Sequence, residues 1–289
     1  MKSINLDAQS AIRLMSVALG LIPFTAIYYS NIHYIQSDYL PYSLLGVIGA
    51  IFANSTGAGG GVVFIPFFNQ IGLSEEQAVS TSIGIQCFGM TAGALTWCLF
   101  YRSERVSNMK WKAFIPTCII SSICSTIGLA FSFIFSLSPP ASLHQLFSYF
   151  SIILGLCILV VVFIPKGKVR TELQKLDYII LAIASILGGV ITAWLSVGIG
   201  EIIATVLILR CFDTKFAIAA AVVVSAVSIW VASIKLLWLE PNAYLQIVLL
   251  AGPGAILGGI MAKKLALLFN ERYLKAFLAC WILIIGIYG

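Results

Sequence analysis

The sequence predicts an all-α polytopic membrane protein built as an inverted-topology repeat. Each half is expected to be a re-entrant helical hairpin plus three transmembrane helices, with one extra N-terminal transmembrane helix in front. Three observations predict this. Apolar residues make up 60% of the chain and charged residues only 10%, against roughly 25% charged in soluble domains. Lys and Arg gather in some connections between apolar segments and are missing from others, the pattern that orients a membrane protein. Two glycine-bearing stretches, Ser55-Thr56-Gly57-Ala58-Gly59-Gly60 and Ser196-Val197-Gly198-Ile199-Gly200-Glu201, align without gaps at an offset of 141 residues.

This composition leaves no room for a separate catalytic or nucleic-acid-binding domain. The net charge of +6 sits in short loops, where it sets topology and not nucleic-acid affinity. Seven cysteines (Cys87, Cys98, Cys118, Cys124, Cys157, Cys211, Cys280) form no C-x-x-C pair and fall mostly inside apolar segments. They read as small buried hydrophobes. No cofactor is expected. The expected partners are a small anionic substrate and the lipid bilayer, with no nucleic acid and with homo-oligomerisation left open.

Lys2 and Arg13 precede an apolar run to Tyr29 that is long enough to span and lacks a clear small-x-small exit. It reads as a first transmembrane helix at about 14–30 and not as a cleaved leader. Further apolar segments follow at about 42–71, 78–101, 112–135, 145–165, 176–210, 215–238, 243–262 and 273–288. A crossing takes roughly 17–25 residues, so 42–71 and 176–210 are too long for one crossing and short for two.

The basic loops thread them. Loop 102–112 carries Arg102, Arg105, Lys110 and Lys112, and loop 166–175 carries Lys166, Lys168, Arg170 and Lys175. Arg210 and Lys215 bracket the next connection, and Lys263, Lys264, Arg272 and Lys275 lie in 263–275, while 31–41, 136–144 and 239–242 carry none. With the basic loops cytoplasmic, the N-terminus is inside and segment 42–71 begins and ends outside. Segment 176–210 begins and ends inside. Both dip in and return, bending at their glycines. The halves, 42–165 and 166–289, then have opposite orientation, with 1–41 as the extra helix and its outer loop, all in one membrane domain. The arm 176–197 is long for half a membrane, so a further break at Gly188-Gly189 or an interfacial piece is expected to absorb the excess. The competing threading makes both glycine segments broken full spans. It puts Arg210 and Lys215 on the side of loop 31–41, against the charge pattern.

Gly57, Gly59, Gly60 and Gly61 interrupt an apolar run, and each glycine costs a helix about 1 kcal/mol relative to alanine. In lipid, a broken backbone is tolerated only where protein buries it or water reaches it. The return arms begin near Gly59 and Gly200. A helix start offers unpaired N–H groups and about half a positive charge, so two facing starts make an anion site without Arg or Lys. Candidate side chains are Asn54, Ser55 and Thr56 before the first bend, Ser196 before the second beside Gly198 and Gly200, and Thr81, Ser82 and Gln86 on the next crossing. The plainer reading of the glycines is close helix packing, and of the hydroxyls capping.

Glu201 stands where the first stretch has Gly60, alone in a run without other charge from Tyr178 to Leu209. A carboxylate there is costly and functional by default. Ionised, it competes with an anion for the helix-start amides; protonated, it frees them. It is therefore the candidate proton-coupling residue, against the alternative of a helix-start carboxylate that only satisfies the dipole. Lys235, beside Trp238, reads as snorkelling. Glu75 and Glu76 read as solvated, and Pro66 as shaping the return arm. His33 and His144 lie far apart, so no metal site is expected.

At these residues the chain resembles the sulfite exporter TauE/SafE family. The resemblance rests on Gly57-Ala58-Gly59-Gly60-Gly61 with Pro66, on Ala78 and Thr81-Ser82, and on Gly254-Ala255-Ile256-Leu257-Gly258-Gly259 followed by Lys263-Lys264-Leu265. It covers about 42 to 289. It implies transport of sulfite, sulfoacetate or other organosulfonates across a bacterial-type cytoplasmic membrane. The second repeat departs from the first: Glu201 and Ile202 replace Gly60 and Gly61, Leu207 replaces Pro66, and Ala219-Ala220-Ala221 replaces Ser80-Thr81-Ser82.

The sequence therefore points to a secondary anion transporter. A passive anion channel is the second reading. An intramembrane enzyme is the third, since H-E-x-x-H, paired cysteines and a Walker A lysine are all missing.

Overall fold

A computed structural model describes residues 41–104, 108–140, 142–163, 169–268 and 271–288. The helix expected at 14–30 and His33 lie outside the described residues. Within them the chain is helical apart from turns and one isolated β-bridge between Arg170 and Phe212. In order the helices are α1 (Pro41–Thr56), α2 (Gly61–Gln70), α3 (Glu75–Glu104), α4 (Phe114–Ile134), α5 (Leu143–Phe163), α6 (Lys175–Leu195), α7 (Ile199–Leu209), α8 (Thr214–Ser233), α9 (Leu245–Leu268) and α10 (Glu271–Tyr288). A short 3₁₀ turn (Met109–Trp111) precedes α4, and a π-helical turn (Ile234–Leu239) extends α8.

Local chemistry sets several of the boundaries. Ser74 and Gln77 exchange side-chain-to-backbone bonds at the start of α3, with Glu75 and Glu76 in its positive first turn. Asp213 caps α8 through the Lys215 amide. Among the described residues five helical stretches are long and apolar enough to cross a membrane: Glu75–Glu104, Met109–Ile134, Lys175–Leu195, Thr214–Leu239 and Leu245–Leu268. The protein is thus a polytopic, all-helical membrane protein. Along α4, Ile115, Ile119, Ile123, Ile127 and Phe131 recur every fourth residue and are all exposed. Such an apolar stripe suits contact with lipid.

Both long glycine segments break into two helices. The first breaks between α1 and α2, where Gly57 takes φ 83°. The second breaks between α6 and α7, where Ser196 takes φ 60° and Gly198 φ 135°. The outer ends of each pair come back together. Tyr42 and Phe67 meet edge to face at 5.9 Å, and Arg210 Nε donates to Asp177 Oδ1 at 2.6 Å. Each broken segment therefore folds back so that its two outer ends lie together. The further break expected at Gly188-Gly189 does not occur, and α6 runs through it as one helix. Those glycines serve close packing instead. A Cβ on Gly189 would lie 2.3 Å from the Ser125 carbonyl oxygen, and one on Gly188 2.9 Å from the Ile199 side chain.

Helix pairs dominate the packing. Helix α1 lies along α9 as α6 lies along α4; α3 packs on α8, and α5 on α10. Glycine lets both first pairs approach backbone to backbone: a Cβ on Gly46 would sit 2.0 Å from the Ala251 carbonyl oxygen, and one on Gly128 2.1 Å from that of Ile186. Helix α8 forms the buried middle, where Ala217 and Ala219 to Val222 are sealed from solvent. One end of the molecule carries charged clasps. Lys110 meets Asp213 at 3.0 Å, Lys112 meets Glu172, and Asp177 accepts from both Arg170 and Arg210.

Candidate anion site at the hairpin tips

The two breaks meet each other inside the protein. A Cβ on Gly200 would lie 2.4 Å from the carbonyl oxygen of Gly57 and 2.4 Å from Ser225 Oγ. A Cβ on Gly61 would lie 2.6 Å from Val197 and 2.9 Å from the Ser196 carbonyl oxygen. Backbone therefore touches backbone where the tips cross, which only glycine permits.

Glu201 sits in the first turn of α7 and is 2% exposed. Its Oε2 accepts the Gly198 amide at 2.9 Å, the local bond of a capping arrangement. Its Oε1 reaches out of its own hairpin and accepts the Gly59 amide at 2.7 Å. One carboxyl group thus spans both tips. Capping alone accounts for the first bond and not for the second.

Gln86 of α3 completes the cluster. Its Oε1 accepts the Gly60 amide at 2.8 Å. Its Nε2 lies 2.8 Å from Ser196 Oγ, 3.1 Å from the Ser196 carbonyl and 3.0 Å from Ser82 Oγ. Ser196 Oγ in turn donates to Ser82 Oγ at 2.9 Å. The Ile199 amide is met by Thr192 Oγ1 at 3.0 Å. Helix-start donors that would otherwise be orphaned are satisfied by the protein's own oxygens. A narrow void, too small for water, borders the cluster beside Asn54, Gly60 and Gln86.

Of the residues expected at the site, Gly59, Gly60, Ser82, Gln86, Ser196, Gly198 and Glu201 share this network, and Gly57, Gly61 and Gly200 form the crossing. Thr56 stays at the first break, its Oγ1 accepting the Ala58 amide at 3.2 Å while donating to the Phe52 carbonyl at 2.7 Å. The others are engaged elsewhere. Ser55 donates to the Phe52 carbonyl at 3.2 Å. Asn54 donates to the carbonyls of Ala50 and Gly89, its own carbonyl accepts from Trp97 Nε1, and its side-chain oxygen has no partner. Thr81 Oγ1 accepts the Tyr244 amide at 2.9 Å, ahead of α9. Glu75 and Glu76 are exposed, in keeping with their reading as solvated. The cysteine reading is corrected in part: Cys87 and Cys118 are buried, but Cys157, Cys211 and Cys280 are exposed.

Sequence reasoning missed three residues. Thr192 and Ser225 lie in apolar helices without a distinguishing pattern; Ser225 Oγ is buried without a partner beside Gly200. Asp177 closes the second hairpin between Arg170 and Arg210, and its signal was an acid two residues after the basic loop 166–175 at the start of a long apolar segment.

A family model for the sulfite exporter TauE/SafE matches residues 42–289. No curated protein and no solved structure matches the chain. Carrying that match over nearly all its described helices, the chain belongs to the sulfite exporter TauE/SafE family, a family of membrane transporters.

Proposed function

We propose that this protein is a secondary transporter for a small sulfur-containing or organic anion, of sulfite or organosulfonate type, held between the two hairpin tips. One observation carries the reading: a single carboxylate accepts from both tips, from the Gly59 amide at 2.7 Å and the Gly198 amide at 2.9 Å. Donors that hold a carboxylate oxygen are suited to a sulfite or sulfonate oxygen. Glu201 is then a resident stand-in for the cargo. When it takes a proton it loses the charge that holds it to both amides, and the anion can replace it. Anion binding and proton uptake become one event, and the proton gradient acts on the anion through Glu201.

The architecture that suits this is an inverted repeat of 42–165 and 166–289, each a re-entrant hairpin with three crossings. The reciprocal packing of α1 on α9 and α6 on α4 supports it, as does the return of each hairpin to its own end. Inverted repeats whose broken helices meet are a transporter arrangement. The basic end, with Lys110, Lys112, Arg170 and Arg210, is the cytoplasmic one. The membrane is then of the bacterial inner-membrane type, and the N-terminus is cytoplasmic.

The test is anion uptake into proteoliposomes under an imposed pH gradient, offering sulfite, sulfate, thiosulfate, sulfoacetate and taurine to wild type and Glu201→Gln. Uptake of one sulfur oxyanion, driven by the gradient in wild type and insensitive to it in the variant, is the expected result. No uptake above empty liposomes overturns the anion assignment. Equal gradient-driven uptake by both proteins overturns the role of Glu201.

A further inference from the structure

A half-open polar cavity lies away from the basic clasps, where α3, α4, α6 and the π-helical turn after α8 come together. It offers about 300 Å³, roughly ten times a water's share of the liquid. Lys235 and Ser80 line it, with Phe133, Trp194 and Leu236 as apolar wall. Lys235 was expected to snorkel. Its Nζ lies over the Phe133 ring at 5.2 Å and is 3.5 Å from the Phe133 carbonyl. Its nearest acid, the mainly exposed Glu240, is 3.7 Å away. An ammonium has three donors, and these contacts are all long. Ser80 Oγ is fully buried at the cavity wall with no hydrogen-bond partner. An ammonium without a close acceptor and an orphaned hydroxyl on one wall make a place for an oxyanion.

The cavity is also next to the tips. Ser82 and Gln86 lie two and six residues further along α3 than Ser80, about 3 and 9 Å of helical rise. Trp194 precedes Ser196 by two residues on α6. We infer that this cavity is a second anion site, an antechamber where Lys235 and Ser80 hold an oxyanion bearing a short organic tail before it reaches the hairpin tips. The tail lies against Phe133 and Trp194. Glu76 and Glu240 also border the cavity; both are exposed, so water screens them more than it screens Lys235. The antechamber presupposes the transport reading only for its direction of traffic; the binding itself does not depend on it.

Iodide quenching of tryptophan fluorescence tests it on the whole protein in detergent. The Trp194 component is the difference between wild type and Trp194→Phe. Saturable iodide quenching of that component, relieved by sulfoacetate, is expected. In Lys235→Gln the half-quenching concentration should rise about tenfold, and Lys235→Arg should restore most of the loss. Quenching by neutral acrylamide should be the same in all variants. Linear iodide quenching that Lys235→Gln leaves unchanged overturns the site. In proteoliposomes, Lys235→Gln should raise the half-saturating sulfoacetate concentration from the cavity side about tenfold, with maximal rate within twofold. If quenching behaves as expected but wild type moves no anion, the transport reading fails and the antechamber stands. If anion moves but quenching shows no saturable site, the antechamber fails and the transport reading stands.

Discussion

The Glu201 carboxylate accepts the Gly59 amide at 2.7 Å across 142 residues of sequence. That bond fastens one hairpin tip to the other, and its loss should be measurable apart from transport. Glu201→Gln keeps the shape but places an NH₂ group against at least one amide donor. An unsatisfied buried donor costs about 1–3 kcal/mol. The variant should fold, unfold at lower temperature in detergent, and lose the response of uptake to pH. An unchanged melting temperature would show that the bridge adds nothing to stability.

Two glycines at the tips should respond oppositely to alanine. A Cβ on Gly200 would stand 2.4 Å from the Gly57 carbonyl oxygen, whereas one on Gly59 would stand 3.5 Å from Gln86 Oε1, Glu201 Oε1 and the Ser196 carbonyl oxygen. Overpacking of the first kind costs about 1–3 kcal/mol or more. Gly200→Ala should therefore lower the yield of monodisperse protein sharply, and Gly59→Ala should not. Size-exclusion profiles of the two variants decide the matter; equal profiles would refute it.

Gln86 serves three partners at once, so its replacement should exceed that of Ser82. Gln86→Leu leaves the Gly60 amide and Ser196 without this acceptor and donor, an expected loss of about 2–3 kcal/mol. Ser82→Ala removes a hydroxyl whose neighbours Gln86 and Ser196 still bond each other. Thermal unfolding should rank the variants wild type, Ser82→Ala, Gln86→Leu.

The charged clasps should differ among themselves. Asp177 is almost fully buried between Arg170 and Arg210, and removing one partner of such a cluster costs about 3–5 kcal/mol. Asp177→Asn should loosen the second hairpin and speed its proteolysis near Arg170 and Arg210. Lys112 and Glu172 are more than half exposed. The hydrogen bond and charge of Lys112 hold the Glu172 carboxyl below its ordinary value. A lowered folded-state value stabilises above the unfolded one, about 4.3, and the benefit fades as pH falls through the folded value. The pair is solvent-exposed, so the benefit is small: Glu172→Ala should lower melting slightly at pH 6 to 8 and not at pH 3, and a larger loss at pH 3 than at pH 7 would contradict the assignment.

Apolar length and loop charge made most helix positions legible in the sequence. Segments 78–101 and 215–238 appear within α3 and within α8 with its π-helical turn, and four glycines in five residues marked the first break because glycine weakens a helix. What stayed hidden is three-dimensional. The Gly188-Gly189 pair has the composition of a break, yet it is a packing surface because the Ser125 carbonyl lies against it. Ser55 stands beside the tip in sequence but turns back to Phe52, the habit of hydroxyls near a helix end. That Gln86 would face the tip and Thr81 the start of α9 depends on how α3 is rotated, which its polar residues, spread around the helix with no single polar face, do not encode.

At ten and eleven residues, α2 and α7 fall well short of the roughly 17–25 needed to cross a bilayer. Neither can be threaded into hydrocarbon on its own merits, and α7 carries a carboxylate besides. Each must wait for the helix that follows it, α3 or α8, against which it packs. Biogenesis of this protein is then an ordered affair, with the long helices inserted during synthesis and the two tips swung into place afterwards. A chain stalled on the ribosome before α8 emerges should hold its second hairpin open to protease, and one released after α9 should not.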